Sequence, residues 1–482
     1  MVVKIYINDE KYRYDVYHIF ELFYSFTQME FEFQNKENCD YILNVSEKQL
    51  SIANSEGEEK IFNLESSMTF KHEFRKSMFK YLEAKTSKEL PWGILIGIRP
   101  TKIVLDMMDE GFSEEEIIKT LQEEYFARLD KAKLCISIAK AERARVNKDP
   151  KNISIYIGMP FCPTTCLYCS FASNPIGGRN TSKMVEPYLE KLNEEIDIIK
   201  EFIDKKGLNI ECVYFGGGTP TSINENQFEN LIKKVHESFI SGRKVKEFNV
   251  ECGRPDSITQ GKLRTMKKYN VSRISINPQT MNEDTLKLIG RHHTVEDIIE
   301  KFNMARKIGF DNINMDIIVG LPNETLNHIE NTCTEILKLK PDSLTVHGMS
   351  IKRGSKLYEE IYIDKVRILE QNSLNEMYER TSKLAEELNM KPYYMYRQKN
   401  MVGHMENVGY CLDGKEGLYN IEMIEDKQTI IALGADAVTK VVYLKNNKIE
   451  RFGNLKDVKE YILRFDEKME GKMELLNTIE GE

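Results

Sequence analysis

The sequence has few of the features that mark secreted, membrane-spanning or disordered proteins. Its opening stretch, "MVVKIYINDEKYRYDVYHIF", lacks the basic start and the continuous apolar run of a signal peptide. No segment approaches the roughly 18 unbroken apolar residues that span a bilayer, and "WGILIGI" is among the longest apolar runs. Only 13 of 482 residues are proline, while 41% are hydrophobic and 30% are charged. This composition excludes a disordered or fibrous chain, and we expect a soluble, cytoplasmic protein.

A long block of basic charge is also lacking. The chain has 68 lysines and arginines against 76 aspartates and glutamates, which gives a net charge of -8, and the two signs are interspersed. This pattern argues against a dedicated nucleic-acid binder, and we expect neither nucleic acid nor a membrane as a partner. No strict internal repeat and no low-complexity tract is evident.

Nine cysteines are present, an odd number in a long chain without an export signal, so a disulfide framework is improbable. Six are scattered, and the simplest interpretation is that they are buried apolar thiols: Cys39, Cys135, Cys212, Cys252, Cys333 and Cys411. The other three, Cys162, Cys166 and Cys169, lie within the short stretch "CPTTCLYC". Such clustering requires a chemical reason.

From about Lys151 onward, short β-rich runs alternate with amphipathic helical stretches such as "MVEPYLEKLNEEIDIIKEFI" and "NENQFENLIKKVHESFI". Six strands are predicted: Ile153–Ile157, Cys212–Phe215, Phe248–Cys252, Arg273–Asn277, Asn314–Val319 and Ser343–His347. Six strand-helix units imply an α/β fold with a parallel sheet, because each right-handed crossover needs its helix. Chemistry on such a sheet sits at the carboxyl ends of the strands, where the polar motifs of this chain would converge.

Three regions are predicted. Residues 1–150 form an α+β domain of unknown role, with a small sheet first and helices from Lys71; Ser113 and Glu116 make a capping box. Residues 151–355 form the barrel-like core. Residues 356–482 form a mixed α+β region that closes the active site, with a long helix from about Lys365 to Leu388.

Three thiolates on a loop after a strand can bind zinc, form a disulfide or hold an iron-sulfur cluster. Structural zinc takes four ligands, usually as two pairs, and no second Cys or His pair follows at a suitable spacing. A cluster of four irons held by three cysteines leaves one iron with an open coordination site, to which a reactive ligand can bind.

The triplet, with Tyr168 before its last cysteine, resembles the signature of radical S-adenosylmethionine (SAM) enzymes. The resemblance implies a partial (β/α)6 TIM-like barrel and one [4Fe-4S] cluster bound by Cys162, Cys166 and Cys169. It also implies that SAM chelates the open iron and is cleaved to a 5'-deoxyadenosyl radical. Iron-sulfur clusters supply electrons at low potential, and a side chain alone cannot make such a radical.

A narrower resemblance covers roughly residues 150–440. "YIGMPFC", "VYFGGGTPT", "NVECGRPDSIT", "INPQTMNEDTLKLIGRHHT" and "NMDIIVGLP" occur in the order found in the oxygen-independent coproporphyrinogen III oxidase/dehydrogenase family, which includes heme chaperones. The HemZ type, with its additional amino-terminal domain, is the most similar branch. The joint occurrence of five motifs is far more specific than any one alone.

This resemblance implies the residues that contact the cofactor. Gly217, Gly218 and Thr219 would receive the methionine amino group, Glu251 the ribose or methionine, and Tyr156 and Tyr168 would flank the cluster. Gln279, Arg291 and Asp316 line the same mouth and can hold a second SAM molecule, and Ile318 would pack on adenine. The resemblance assigns no catalytic residue beyond these.

Simpler interpretations of the same residues remain open. "GGGTPT" can be a tight turn without a ligand, since it lacks the pattern of a nucleotide loop. Glu251 can be a salt-bridged core acid, because an isolated carboxylate in an apolar strand is costly. His292 and His293 can be surface residues or catalytic ones. Arg254 and Arg291 suit carboxylates, whether of methionine or of a propionate.

Two departures from the family pattern stand out. Phe171 occupies the position of a fourth cysteine in the well-known dehydrogenases. The heme-chaperone branch carries His-Asn and then Tyr-Trp near its carboxyl terminus, where this chain has "ENVGYC", residues 406–411, and its only tryptophan is Trp92.

The resemblance implies an oxygen-independent coproporphyrinogen III dehydrogenase of heme biosynthesis, which converts two propionates to vinyls and gives protoporphyrinogen IX. Its partners would be the tetrapyrrole substrate and a low-potential electron donor such as flavodoxin or ferredoxin. A heme chaperone and a radical SAM enzyme acting on another tetrapyrrole, such as a heme-degrading methyltransferase, are the alternatives.

Overall fold

The computed structural model describes residues 2–25, 27–64, 69–352, 355–362, 369–398 and 400–479. Two large sheets, one of five strands and one of 11, organise these residues. In the described part of the chain, no helix combines the length and apolar composition needed to cross a bilayer.

The first sheet lies at the amino terminus, as its alternating apolar and polar pattern predicts. Its strands and the two helices packed on it are β1 (Val2–Ile7), α1 (Arg13–Phe23), β2 (Gln28–Glu32), β3 (Tyr41–Val45), β4 (Gln49–Asn54), β5 (Glu59–Asn63) and α2 (Phe70–Thr86). The strand order is β2-β1-β3-β4-β5. Ile5, Phe20, Leu43 and Met78 are fully buried in a core that these elements share.

Three helices connect the two sheets: α3 (Thr101–Asp109), α4 (Glu114–Glu123) and α5 (Leu129–Arg143). The predicted capping box at the start of α4 is confirmed. The Ser113 side chain accepts a hydrogen bond from the backbone of Glu116, whose carboxylate in turn accepts one from the Ser113 backbone N–H at 2.8 Å. This reciprocal pair satisfies two amides that a helix end otherwise leaves unpaired.

The second sheet contains the six predicted parallel strands, which are confirmed with small shifts at their ends. In chain order the strands of this part are β6 (Asn152–Met159), β7 (Phe161–Cys162), β8 (Asn174–Pro175), β9 (Asn209–Gly217), β10 (Glu247–Gly253), β11 (Arg273–Ile276), β12 (Ile313–Val319) and β13 (Ser343–Gly348). Strands β6, β9, β10, β11, β12 and β13 are neighbours in that order. The short β7 and β8 pair only with each other.

Helices alternate with these strands, as a parallel sheet requires. They are α6 (Arg179–Ser182), α7 (Val185–Lys206), α8 (Glu225–Val235), α9 (Gln260–Lys268), α10 (Glu283–Leu288), α11 (Val295–Ile308) and α12 (Leu326–Leu339). The two amphipathic stretches quoted from the sequence form α7 and α8, the latter continued by a π-helical turn at His236–Ile240. A capping box of Asn224 and Gln227 starts α8.

The remaining chain extends the same sheet at both edges. Its elements are α13 (Lys356–Tyr362), α14 (Gln371–Glu387), β14 (Lys391–Tyr396), β15 (Asn407–Cys411), α15 (Leu418–Glu425), β16 (Thr429–Leu433), β17 (Val438–Tyr443), β18 (Lys448–Gly453), α16 (Val458–Leu463) and α17 (Phe465–Asn477). Strand β15 is antiparallel to β13, with β14 outside it, while β16 is parallel to β6 and is followed by β17 and β18.

The long helix predicted from about Lys365 to Leu388 is observed as α14, which starts at Gln371. Lys365 lies outside the described residues, and the residues at 369 and 370 are not helical.

Candidate active site

The three clustered cysteines lie on a loop that leaves the carboxyl end of β6. Cys162 and Cys166 are buried, and Cys169 is half-buried. The loop is held against the turn between α10 and α11, because the Leu167 N–H donates to the Ile289 carbonyl at 3.0 Å and Thr164 Oγ1 donates to the Gly290 carbonyl at 3.0 Å. These bonds fix the loop before any ligand binds.

Hydrogen-bond donors surround the sulfur atoms. Thr219 Oγ1 lies 3.4 Å from Cys162 Sγ, Arg254 Nη1 lies 3.5 Å from Cys166 Sγ, and the Phe171 N–H donates to Cys169 Sγ. Burial nevertheless raises the pKa of Cys162 to about 12 and also raises that of Cys169. Without a bound cation, Cys162 and Cys169 therefore favour the protonated thiol, and a metal that replaces the proton would stabilise the thiolate.

The spacing of the thiols bears on the zinc alternative. The three sulfur atoms do not all lie within 4.8 Å of one another. Zinc binds thiolate sulfur at about 2.3 Å, so two sulfurs on one ion lie at most about 4.6 Å apart. This arrangement of the side chains favours a cluster with several irons, which more widely spaced thiolates can hold, over a single zinc ion.

The glycine-rich turn follows β9 and lies directly against the cysteine loop. A Cβ on Gly217, which has a φ of 97°, would lie 2.8 Å from the backbone of Met159, and one on Gly218 would lie 2.6 Å from the Phe161 carbonyl oxygen. The amides of Gly218 and Thr219 donate to the carbonyls of Met159 and Phe161. These two amides are therefore hydrogen bonded within the protein. A ligand's amino group donates hydrogen bonds, so the backbone groups of this turn that can receive it are the carbonyl oxygens.

Glu251 lies at the carboxyl end of β10 and accepts several hydrogen bonds. Tyr214 donates to its Oε1 at 2.7 Å and Ser275 donates to its Oε2; the amides of Asn249 and Asn277 lie at 3.3 and 3.4 Å. Burial, followed by the charge of Asp316, raises the pKa of Glu251. No basic side chain forms an ion pair with it among the described residues, so the salt-bridged core acid is not observed.

Asp316 lies two strands further along, on β12, and faces a histidine of β13. His347 Nε2 lies 3.5 Å from Asp316 Oδ2, and Asn314 donates to Oδ1 at 2.7 Å. Burial acts to raise the pKa of Asp316, but the hydrogen bond and charge of His347, together with the hydrogen bonds from Asn314 and Thr345, outweigh it and the pKa is lowered. Burial acts to lower the pKa of His347, but the hydrogen bond and charge of Asp316, together with Asn407 and Glu251, outweigh it and the pKa is raised. Both directions favour an ion pair between the two side chains.

Gln279 takes an unusual backbone conformation beside this pair. Its φ is 66°, in the left-handed region that non-glycine residues rarely adopt. Its backbone N–H donates to the Asp316 carbonyl, and its carbonyl accepts from Ile318 N–H, each at 2.9 Å. These two bonds hold the residue after β11 has ended and direct the side chain into the site.

Arg291 connects the segment after β11 with the cysteine loop. Its Nη1 donates to the Asn277 carbonyl at 2.6 Å, and the guanidinium also contacts Tyr168 and Cys166. Next to it, His293 is buried and burial lowers its pKa to about 3, whereas His292 is exposed. Neither histidine lines the cavity. The interpretation as a surface residue holds for His292 but is wrong for His293, which is buried with Nδ1 3.9 Å from Asp256.

Tyrosines form the inner wall near β6. Tyr156 stacks on Tyr214 with ring centroids 6.1 Å apart, and Tyr214 stacks on Tyr419 at 4.3 Å. Ile318 contributes a buried apolar side chain to the same space.

One cavity of about 610 Å³ unites these residues. All thirteen positions assigned from the resemblance line it: Tyr156, Cys162, Cys166, Tyr168, Cys169, Gly217, Gly218, Thr219, Glu251, Gln279, Arg291, Asp316 and Ile318. Two polar atoms of the cavity wall, Gln279 Oε1 and Arg291 Nε, are among the buried atoms without a hydrogen-bond partner in the described part of the chain. A ligand bound in the cavity can supply these partners.

Sequence reasoning missed several residues of the wall. His347 was recognised only as the end of a strand, and Tyr394, Tyr396 and Tyr419 were not selected. A signal existed for two of them: Tyr394 and Tyr396 are two apart on β14 and therefore point to one face, where their rings stack at 6.4 Å. The glycine at position 409 leaves room for the Tyr394 ring, because a Cβ at Gly409 would lie only 1.9 Å from it.

Glu406 stands where the heme-chaperone branch has histidine, and it points away from the cavity. The side chain is 2% exposed and accepts hydrogen bonds at 2.6 Å from both Trp92 Nε1 and Lys131 Nζ. Tyr378 donates to its backbone carbonyl at 3.0 Å. The position therefore ties the amino-terminal region to β15 and is not available as a heme ligand.

We expect Glu406→Ala to destabilise the fold by about 3–5 kcal/mol, because it removes the close partner of the buried Lys131 ammonium and leaves it only Asp130 at 3.8 Å. The midpoint of chemical denaturation, followed by the fluorescence of Trp92, measures this effect. The control is Asp413→Ala, which removes an ion pair to Lys391 whose side chains are 83% and 73% exposed, and a shift within about 0.5 kcal/mol is expected there. Equal midpoints for both variants would contradict the assignment.

Known proteins show similarity along the whole chain. The family model of the Radical SAM superfamily matches residues 156–336. The "oxygen-independent coproporphyrinogen-III oxidase-like protein HemZ" of Bacillus subtilis is 36% identical over 98% of this chain and 97% of that protein. The heme chaperone HemW of B. subtilis is 33% identical over 47% of this chain and 58% of that protein.

Among solved structures, coproporphyrinogen III oxidase HemN of Escherichia coli matches with a TM-score of 0.52 and 21% identity, over 68% of this chain and 72% of that one. At this identity the likeness concerns the fold alone. Together with the strand order, it confirms the predicted partial (β/α)6 barrel of the radical SAM type.

Proposed function

Because the chain belongs to the HemZ-type family of coproporphyrinogen-III oxidase-like proteins within the radical SAM superfamily, we propose that it is an oxygen-independent coproporphyrinogen III dehydrogenase. It would oxidatively decarboxylate two propionates to vinyls and yield protoporphyrinogen IX, each propionate giving up one hydrogen atom to the 5'-deoxyadenosyl radical, carbon dioxide, and one electron to an external electron acceptor. The observation that carries this proposal is the single cavity in which the three cysteines meet all ten expected cofactor contacts.

Membership of the superfamily implies a [4Fe-4S] cluster and SAM. When bound, they supply a low-potential electron and a radical that abstracts hydrogen. In our proposal Cys162, Cys166 and Cys169 hold three irons. Carbonyl oxygens of the Gly217–Thr219 turn accept from the methionine amino group, and Glu251 accepts from the ribose hydroxyls.

We propose a second SAM molecule on the far side of the cavity. The unpaired Gln279 Oε1 and Arg291 Nε would receive its polar groups, Asp316 its amino group, and Ile318 its adenine. The guanidinium of Arg291 can form a bidentate hydrogen bond with a carboxylate. A substrate propionate is therefore the alternative ligand at the same position.

We also propose roles for the surroundings of the site. Residues 356–482 would close it, since Tyr394, Tyr396 and Tyr419 contribute to the wall. A low-potential protein such as flavodoxin or ferredoxin would deliver the electron. The buried placement of Glu406 supports the dehydrogenase over the heme chaperone, because the heme-binding histidine of that branch is replaced by an internal ion pair.

The test is an anaerobic assay of the reconstituted protein with coproporphyrinogen III, SAM and a chemical reductant. We expect 5'-deoxyadenosine, methionine and the divinyl porphyrinogen to form together, and none of them without SAM. Cleavage of SAM without decarboxylation would reject the substrate. Methyl transfer from labelled SAM to a tetrapyrrole would indicate the methyltransferase instead, and stable stoichiometric heme binding without turnover would indicate the chaperone.

A further inference from the structure

The mouth of the cavity exposes an unusual share of apolar surface. Twelve large hydrophobic side chains are exposed in the described part of the chain, and three of them line this one cavity. They are Phe171 (64% exposed), Met423 (40%) and Val438 (49%). Single exposed apolar residues need no explanation, but a group at the rim of a binding cavity marks a ligand that extends beyond it.

A lysine adds positive charge to the same rim. Lys352, just after β13, lines the cavity, and its ammonium lies 5.5 Å from the centroid of the Phe171 ring. Cations deeper in the wall already have acceptors: Arg254 pairs with Asp256, and His347 with Asp316. Lys352, by contrast, has no carboxylate partner in the parts of the chain that are described.

The other charges at the rim do not neutralise Lys352. Asp436 also lines the cavity, but its Oδ2 accepts from the Ala172 N–H at 3.3 Å and lies 3.8 Å from the ammonium of Lys456. Among the described residues, the rim therefore combines an apolar surface with a cation, Lys352, that is available to an anion from outside.

Building on the proposed function, we propose that this rim binds the part of the tetrapyrrole that does not react. The inner cavity beside the cysteines and Glu251 would be filled by SAM, so the macrocycle would lie toward the mouth. Its apolar face would contact Phe171, Met423 and Val438, and a propionate that is not decarboxylated would accept a hydrogen bond from Lys352.

This assignment gives Phe171 a role. Its backbone N–H still donates to Cys169 Sγ, so the contact with the cluster loop does not depend on the side chain. The ring instead points outward and offers an aromatic surface with a cation over it, a combination that suits an amphipathic acid.

Equilibrium titration of the reconstituted protein, with SAM present, tests the proposal. The ligands are coproporphyrin III, which keeps four carboxylates, and its tetramethyl ester, and porphyrin fluorescence reports binding. We expect Lys352→Met to weaken binding of the acid about tenfold and to leave the ester unchanged, since only the acid can pair with the ammonium. Lys352→Arg should retain the affinity, and Phe171→Ala should weaken both ligands.

Lys391→Met and Leu463→Ala, at positions exposed elsewhere, are the matched controls and should change neither affinity. The lysine's role is overturned if Lys352→Met leaves the acid unaffected or weakens acid and ester alike. The apolar surface is overturned if Phe171→Ala changes neither ligand. These binding measurements need no turnover, so the two proposals can fail separately. If the variants show the expected binding pattern but the protein never decarboxylates coproporphyrinogen, the proposed function is rejected and the binding role of the rim stands. If the protein decarboxylates coproporphyrinogen but the variants bind both ligands unchanged, the binding role of the rim is rejected and the proposed function stands.

Discussion

Replacing Cys166 with alanine is expected to reduce the iron content of the anaerobically reconstituted protein from about four atoms per chain to near zero. The visible absorbance of the cluster and all cleavage of SAM should disappear with it. Cys166 is buried, lies between Cys162 and Cys169 on a loop fixed by hydrogen bonds, and accepts a hydrogen bond from Arg254. With two cysteines left, the cluster would have two irons without protein ligands.

Cys333→Ala is the matched control for this change. Cys333 is also fully buried, but it lies on α12 in the apolar core and does not line the cavity. That variant should keep its iron, although the lost sulfur should lower stability. Full iron retention in Cys166→Ala would show that the ligand set is wrong.

The second large effect is expected for Glu251→Gln, which should weaken SAM binding by roughly 10- to 100-fold. The carboxylate accepts from the hydroxyls of Tyr214 and Ser275 and from the amide of Asn277. A glutamine places an NH₂ group where one oxygen was, so a donor then faces a donor. It also removes the negative charge that would receive the cofactor's hydroxyls.

Equilibrium binding of SAM to the reconstituted variant measures this change, and iron content checks that the cluster is intact. Glu324→Gln is the control, because Glu324 is a fully buried acid outside the cavity, bonded to Thr280 at 2.6 Å. Unchanged SAM affinity in Glu251→Gln with a full cluster would leave Glu251 as a purely structural acid.

The sequence was sufficient for the parallel strands and for the cavity wall they carry. Each strand was a short apolar run followed by a polar motif, and the carboxyl ends of parallel strands meet at one edge. Cysteines, Glu251, Gln279 and Asp316 therefore converge, although they are far apart in the chain. The local sequence pattern and the common edge of parallel strands are enough to predict this convergence.

Contacts between distant segments could not be predicted in this way. The pairing of Glu406 with Trp92 and Lys131 joins positions 314 and 275 residues apart, and neither partner carries a local signal. Likewise, the amino-acid sequence of β16 contains no pattern that predicts its pairing with β6. Lys352 and Phe171 meet only because the segment after β13 passes over the cysteine loop.

The pairing of β16 with β6 also sets the order in which the molecule can be completed. Ser154 on β6 and Gln428 beside β16 are hydrogen bonded although they are 274 residues apart. During synthesis, one edge of the first barrel strand therefore stays open until β16, which follows much later in the chain, has left the ribosome. Such distant parallel pairing is slow, and an open strand edge invites association with other chains. The strand that carries the cysteine loop is thus paired on both edges only once β16 is in place.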